Sequence, residues 1–205
     1  MRSLSKIIST AFHPVFIPVY LMLIVFNIPA LNILILNPMM KLIIIGLLII
    51  NNVVLPIFSL YVLKSQNNIH SIQLETAAER RIPYALSFIY YAITAYIFLR
   101  TSYLDNSLRF IPMAAAATIL ALFFINNYIK ISAHMASMGS AFAYIFLMAF
   151  YFSINTIFIL IGLTFIAGIV ASARLYLKAH SEIEVYSGFF VGLFITFFVG
   201  SFYLL

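Results

Sequence analysis

Apolar stretches long enough to cross a bilayer recur along the whole chain, and no other feature narrows its fold as much. A spanning helix needs about 20 predominantly apolar residues, because the hydrocarbon core is about 30 Å thick and a helix rises about 1.5 Å per residue. Candidates lie at 12–29, 41–63, 83–100, 109–128, 133–152, 155–176 and 184–204. These runs are too long and too continuously apolar for the alternating segments of roughly ten residues that build a membrane barrel. The expected fold is therefore all-α, a polytopic transmembrane helical bundle. Its count is six or seven membrane helices, because Pro14 and Pro18 interrupt the first segment, which leaves open that it lies partly in the interface. Only 8% of the 205 residues are charged, against about 25% in soluble domains, and no polar stretch is long enough for a second folding unit. The chain reads as a single integral membrane domain over residues 1–205. The broken first segment lacks a small-x-small cleavage site and does not read as a signal peptide. With no cysteine, disulfides and thiolate metal sites are excluded.

Within this apolar background a few polar residues need a reason. Asn51 and Asn52 interrupt the second segment and are expected to bond to a neighbouring helix. Gly188-x3-Gly192 permits close helix contact. The short connection at 153–155 makes 133–176 a tight helical hairpin. If the spans are right, the loops 64–82, 127–133 and 177–183 fall on one face, each separated from the next by two crossings. That face gathers Glu75, Glu79, Arg80, Arg81, Lys130, Ser132, His134, Lys178, His180, Glu182 and Glu184, with Arg174 at the end of the preceding helix. The opposite face holds little beyond Lys41, Arg100, Asp105 and Arg109. The positive-inside rule does not decide the orientation, because the basic excess of the first face rests on residues that are themselves candidates to bind phosphate. The net charge of +6 is spread over segment ends rather than gathered in a run, which argues against nucleic acid and for anionic headgroups or a phosphorylated substrate.

The informative constellation is Arg174-x5-His180-x3-Glu184 at the seam between two apolar segments. An isolated charge at the centre of a membrane helix costs roughly 2.5–3.5 kcal/mol on insertion scales, so charges retained at a membrane boundary are candidates for chemistry. Phosphoryl transfer from a monoester needs a nucleophile, an acid for the leaving oxygen and donors for the phosphoryl oxygens. His180 can attack through a neutral ring nitrogen, and Glu184, four residues on, can hold the other nitrogen and favour the charge that develops. Arg174 and Arg81, with Arg80 or Lys130, can supply guanidinium forks and a point charge. His134 can protonate the leaving alcohol, and Ser132 with the amides that follow can complete an anion site at a helix start. No metal ligand spacing is present, and neither metal nor cofactor is required.

These residues resemble the three signatures of the type 2 phosphatidic acid phosphatase superfamily. Residues 173–188, from Ala173-Arg174 through His180 and Glu184 to Gly188, are similar to the third signature, which runs Ser-Arg, five residues, His, three residues, Asp. Ile131-Ser132-Ala133-His134 resembles the second, Pro-Ser-Gly-His, and Arg80-Arg81-Ile82-Pro83 the Arg-Pro end of the first. The resemblance covers roughly residues 75–200. It implies that His180 is the nucleophile, Glu184 its orienting partner, His134 the acid, and Arg81 and Arg174 the phosphate ligands. It also implies a phosphohistidine intermediate, a lipid phosphate substrate, membrane lipids as the surroundings, and a site facing the periplasm from a bacterial inner membrane. Ala173 stands in place of Ser, Glu184 in place of Asp, Ile131 and Ala133 in place of Pro and Gly, and Gln73 or Leu74 where the first signature has Lys.

Blander readings stand beside this one. Arg80 and Arg81 can be ion pairs with Glu75 and Glu79 on a solvated loop helix, Lys130 and Lys178 snorkelling anchors, Glu182 a solvated carboxylate, and His13 and His70 structural. At the level of the whole chain, the rivals are a relative that binds phosphate headgroups without turnover, and a channel or transporter whose polar residues would line the bundle axis rather than cluster at one end.

Overall fold

A computed structural model describes residues 1–28, 36–74 and 76–204. Nine helices are described: α1 (Arg2–Ala11), α2 (Ile17–Phe26), α3 (Pro38–Ile49), α4 (Leu55–Ser65), α5 (Ala77–Arg100), α6 (Asn106–Ile125), α7 (Ala133–Phe152), α8 (Ile157–Tyr176) and α9 (Glu182–Tyr203). A 3₁₀ turn at Pro14–Phe16 links α1 to α2, and a π-helical segment at Ile50–Val54 links α3 to α4. Together they form seven stretches long and apolar enough to cross a membrane, and among the described residues there is no strand. The protein is an all-α integral membrane bundle. Its outward surface is apolar and aromatic, with Phe150, Phe158, Phe165, Phe194 and Phe202 exposed as lipid-facing residues should be. Glu75 and the last residue of the 12–29 segment lie outside the described residues.

Local chemistry explains where the boundaries differ from the apolar runs. The loop expected at 64–82 is shorter, because Thr76 and Glu79 form a capping box that starts α5 at Ala77, more than a turn before Pro83. Arg80 and Arg81 therefore stand on the first turns of a helix. Glu79 is committed to the cap and to the backbone N–H of His70 at 2.8 Å. The first segment extends back to Arg2 as a polar-rich helix, and His13-Pro14 ends it. Asn52 sits fully buried in the π segment, where its Oδ1 accepts from Thr94 Oγ1 at 3.1 Å and its carbonyl accepts from Tyr91 at 3.4 Å. The α7–α8 connection is the tight hairpin expected, closed by Ser153 in the left-handed conformation (φ 51°).

The most enclosed helix is α7 and the least enclosed is α8. A glycine seam joins α7 to α9. A Cβ on Gly139 would overlap the Phe189 backbone, one on Gly192 would overlap the Ala136 backbone, and one on Gly188 would lie 2.6 Å from the Ser132 carbonyl oxygen. Small residues let membrane helices approach this closely and gain dispersion contact where hydrophobicity gives no drive. The seam ends at the loops, where the Ser132 N–H donates to the Glu184 carbonyl at 3.0 Å, so the start of α7 and the start of α9 are tied backbone to backbone. Gly192→Leu forces this seam apart at a cost of about 1–3 kcal/mol or more. A clearly lower melting temperature in detergent is the expected result, with Gly46→Leu, whose added Cβ meets nothing within 4 Å, melting like the parent. Equal melting of the two variants would show that the seam carries no stability.

Candidate site at the loop end of the bundle

Helix starts and ends converge at one end of the bundle. α8 delivers Arg174 in its last turn, the 177–181 loop delivers His180, α9 opens with Ser181 and Glu184, and α7 opens with Ser132 and His134. The Ser181 capping box fixes Glu184. Its backbone N–H donates to the Ser181 hydroxyl at 3.4 Å, and its Oε2 accepts the Ser181 N–H at 3.2 Å. The same Oε2 accepts from His180 Nδ1 at 2.8 Å, and the Lys130 carbonyl accepts from Nδ1 at 3.2 Å. Two acceptors on Nδ1 place the ring proton there and leave the lone pair on Nε2, which has no hydrogen-bond partner among the described residues. Burial, with the positive fields of Arg80 and Arg174, pushes the His180 imidazole down from its ordinary value of 6.5 to about 4, against the upward pull of Glu184. The ring is neutral at physiological pH, with a carboxylate ready to favour positive charge on it.

His134 is oriented from an unexpected quarter. Its Nε2 donates to the backbone carbonyl of Ser9 in α1 at 3.0 Å, which leaves Nδ1 as the ring nitrogen able to exchange a proton. Ser9 also meets Arg174, whose terminal nitrogen donates to its Oγ at 3.4 Å. The Arg174 Nε is buried without a partner, as is the hydroxyl of Ser132 at the start of α7. The first amides of α7 have no intrahelical acceptor either. Arg174 acts electrostatically on His13, His134 and His180, and Arg80 on α5 acts on Arg174 in turn. Buried donors and like charges held together in this way favour an anion among them.

The two arginines of α5 part company. Arg80 is buried, donating Nε to the Leu74 carbonyl at 2.9 Å and a terminal nitrogen to the Ile131 carbonyl at 3.1 Å, and its charge reaches His180. Arg81 points away and donates to Asn127 Oδ1 at 3.0 Å on the exposed side. The arginine that the family pattern favours is thus outside the cluster, and its neighbour is inside. Lys130 braces the site, with Nζ donating to the Ala179 carbonyl at 3.2 Å beside His180. His13 joins the cluster unheralded, its ring edge-on to His134 at 5.2 Å between centroids. A histidine after a short polar helix gives no local signal of this, because the contact spans more than 100 residues of sequence.

A narrow apolar cleft of about 60 Å³ begins beside these groups. Pro14 and Ala133, the neighbours of His13 and His134, line its head, and Leu122, Thr118, Ile111 and Tyr144 carry it down between α2, α6 and α7. From Ala133 to Tyr144 it follows α7 for about 16 Å at 1.5 Å per residue. Its hydroxyls are spent elsewhere, Thr118 on Ser140 and Tyr144 on the Ser107 carbonyl, so its wall is apolar in effect. Compared with protein-family models, curated proteins and solved structures, the chain matches none.

Proposed function

We propose that this protein is a membrane phosphatase that removes a phosphoryl group from a lipid phosphate through a phosphohistidine on His180. The observation that carries the reading is the His180–Glu184 pair, which holds Nδ1 protonated and leaves Nε2 as a neutral nucleophile. Attack by Nε2 forms the N–P bond as the P–O bond to the lipid breaks. The leaving oxygen takes a proton from the Nδ1 of His134, which gains that proton from solvent once the bound phosphate's negative charge offsets the field of Arg174. Water, deprotonated by His134, then cleaves the phosphohistidine and releases phosphate. Arg174 and Arg80, with Ser132 and the first amides of α7, hold the phosphoryl oxygens. The narrow apolar cleft that opens beside the histidines, lined by Pro14, Ala133, Leu122 and Ile111, supports a substrate with an apolar part. Clustering of the charged and imidazole groups at one end supports a site rather than a path along the bundle axis. By the family resemblance, the site faces the periplasm of a bacterial inner membrane.

Phosphate release by purified, folded protein from a panel of phosphatidate, phosphatidylglycerol phosphate and polyprenyl phosphates tests the reading. Release from at least one is expected, and silence across the panel would leave headgroup binding without turnover as the better account. A histidine NMR titration examines the nucleophile separately. His180 is expected to stay neutral down to about pH 4. Removing a positive neighbour stabilises the imidazolium, so Arg80→Gln should move the midpoint up towards 6.5. A midpoint near 6.5 in the parent, unmoved by the substitution, would refute this account of the pair.

A further inference from the structure

The N-terminal segment contributes more than a wall. His13 caps the 3₁₀ turn, its Nδ1 accepting the Val15 N–H at 3.5 Å. That bond leaves the ring proton on Nε2, which has no acceptor among the described residues. The ring stands edge-on to His134, at 82° between planes, and within the field of Arg174. Two donors therefore border Arg174 and His134 with no protein acceptor, the Nε2–H of His13 and the buried Nε of Arg174 itself. A cation and a neutral imidazole cannot satisfy one another, since both only donate here. An anion with several acceptor oxygens satisfies both at once.

We propose that His13 is a phosphate ligand of this site, donating its Nε2–H to a phosphoryl oxygen beside the Arg174 guanidinium. The N-terminal segment then closes an anion pocket whose other walls come from α5, α7 and the α8–α9 loop. This assignment rests on the phosphate-site reading above and adds to it a group that none of the three signatures contains. The ring stays neutral throughout and transfers no proton, so its role is binding rather than acid catalysis.

Two substitutions separate this role from a merely structural one. Glutamine carries its amide nitrogen near the position of Nε2, whereas asparagine carries its polar atoms near Nδ1. If His13 holds phosphate, His13→Ala weakens orthophosphate binding to the full chain in detergent by about tenfold to a hundredfold, the scale of one charge-assisted hydrogen bond. His13→Gln then restores most of the loss and His13→Asn does not. If His13 only caps the turn, the order reverses, and the proposal is overturned. Loss of affinity for a lipid phosphate in mixed micelles but not for orthophosphate also overturns it, because the contact is then with the tail. Should the variants fail to fold, ¹⁵N-histidine spectra of the parent decide. The His13 signal, assigned by elimination using His70→Gln, His134→Gln and His180→Ala, should shift on adding orthophosphate, and a fixed signal refutes the contact. Phosphate binding that needs Arg174 but ignores every change at His13 removes this proposal and leaves the site standing. No binding and no release by the parent removes both.

Discussion

His180→Ala is expected to abolish the proposed phosphate release, with kcat falling by roughly 10⁴-fold or more, because removal of a nucleophile costs far more than removal of a binding contact. Only the positioning and electrostatic part of catalysis then remains. The protein itself should survive the change. His180 lies in a short loop, its ring bonds replace no backbone hydrogen bond of a helix, and Glu184 keeps its Ser181 cap. The decisive comparison is Glu184→Gln. Glutamine can still accept from Nδ1 through its amide oxygen, so the tautomer can persist while the negative charge that favours imidazolium is lost. A fall of about 10²–10⁴-fold, smaller than that of His180→Ala, is expected. Trapping of a ³²P-labelled, acid-labile and alkali-stable adduct on the parent but not on His180→Ala identifies the intermediate. Release by folded His180→Ala within tenfold of the parent would move the nucleophile elsewhere.

Arg174→Ala carries the second large effect. The guanidinium charge of Arg174 reaches His13, His134 and His180 and meets that of Arg80, and its Nε is buried with no partner among the described residues. In the free protein that arrangement is unfavourable, because two guanidiniums repel and a buried donor is unmet. A phosphoryl group relieves both. The substitution should lower kcat/KM by about 10²–10³-fold, the range for losing one preorganised donor to a developing charge. Stability should hold or rise, since the repulsion is also gone. Arg174→Lys is expected to recover only part of the activity, as an ammonium offers a point charge without the planar fork. Phosphate release at substrate levels well below KM, alongside melting in detergent, reads both quantities. Loss of activity together with a collapse in melting temperature would mean that Arg174 is a structural strut to Ser9 instead.

The spans could be read from the sequence because long apolar runs have few other folds open to them. Their ends could not always be read, because capping chemistry rather than hydropathy sets them. Thr76 and Glu79 start α5 before the apolar run begins, and polar α1 forms although its Ser and Lys content hides it. In the site, His180 and Glu184 were legible because four residues along a helix start is a local relation. The choice between Arg80 and Arg81 was not. Consecutive helix positions differ by about 100° in direction, and only the packing of α5 against the 126–132 loop says which one faces inward. His13 was illegible for the same kind of reason, its partners lying on α7 and α8. Ser9, acting through its main-chain carbonyl, leaves no trace in residue identity at all.

The scant enclosure of α8 ties the site to the bilayer itself. Its 20 residues span about 30 Å, close to the hydrocarbon thickness, and little of its surface is covered by protein. The glycine seam and the Ser132–Glu184 backbone bond tie the starts of α7 and α9 together, and His180 bonds Glu184 and the Lys130 carbonyl. Arg174, by contrast, rides on the least enclosed span. A thinner or thicker membrane is accommodated by tilt, and the helix freest to tilt is the one that carries the guanidinium. Under the proposed reading, hydrophobic mismatch is expected to act on the distance of Arg174 from the histidines more than on the His180–Glu184 pair. On that reading the acyl-chain length of the surrounding membrane is expected to tune the geometry of the site.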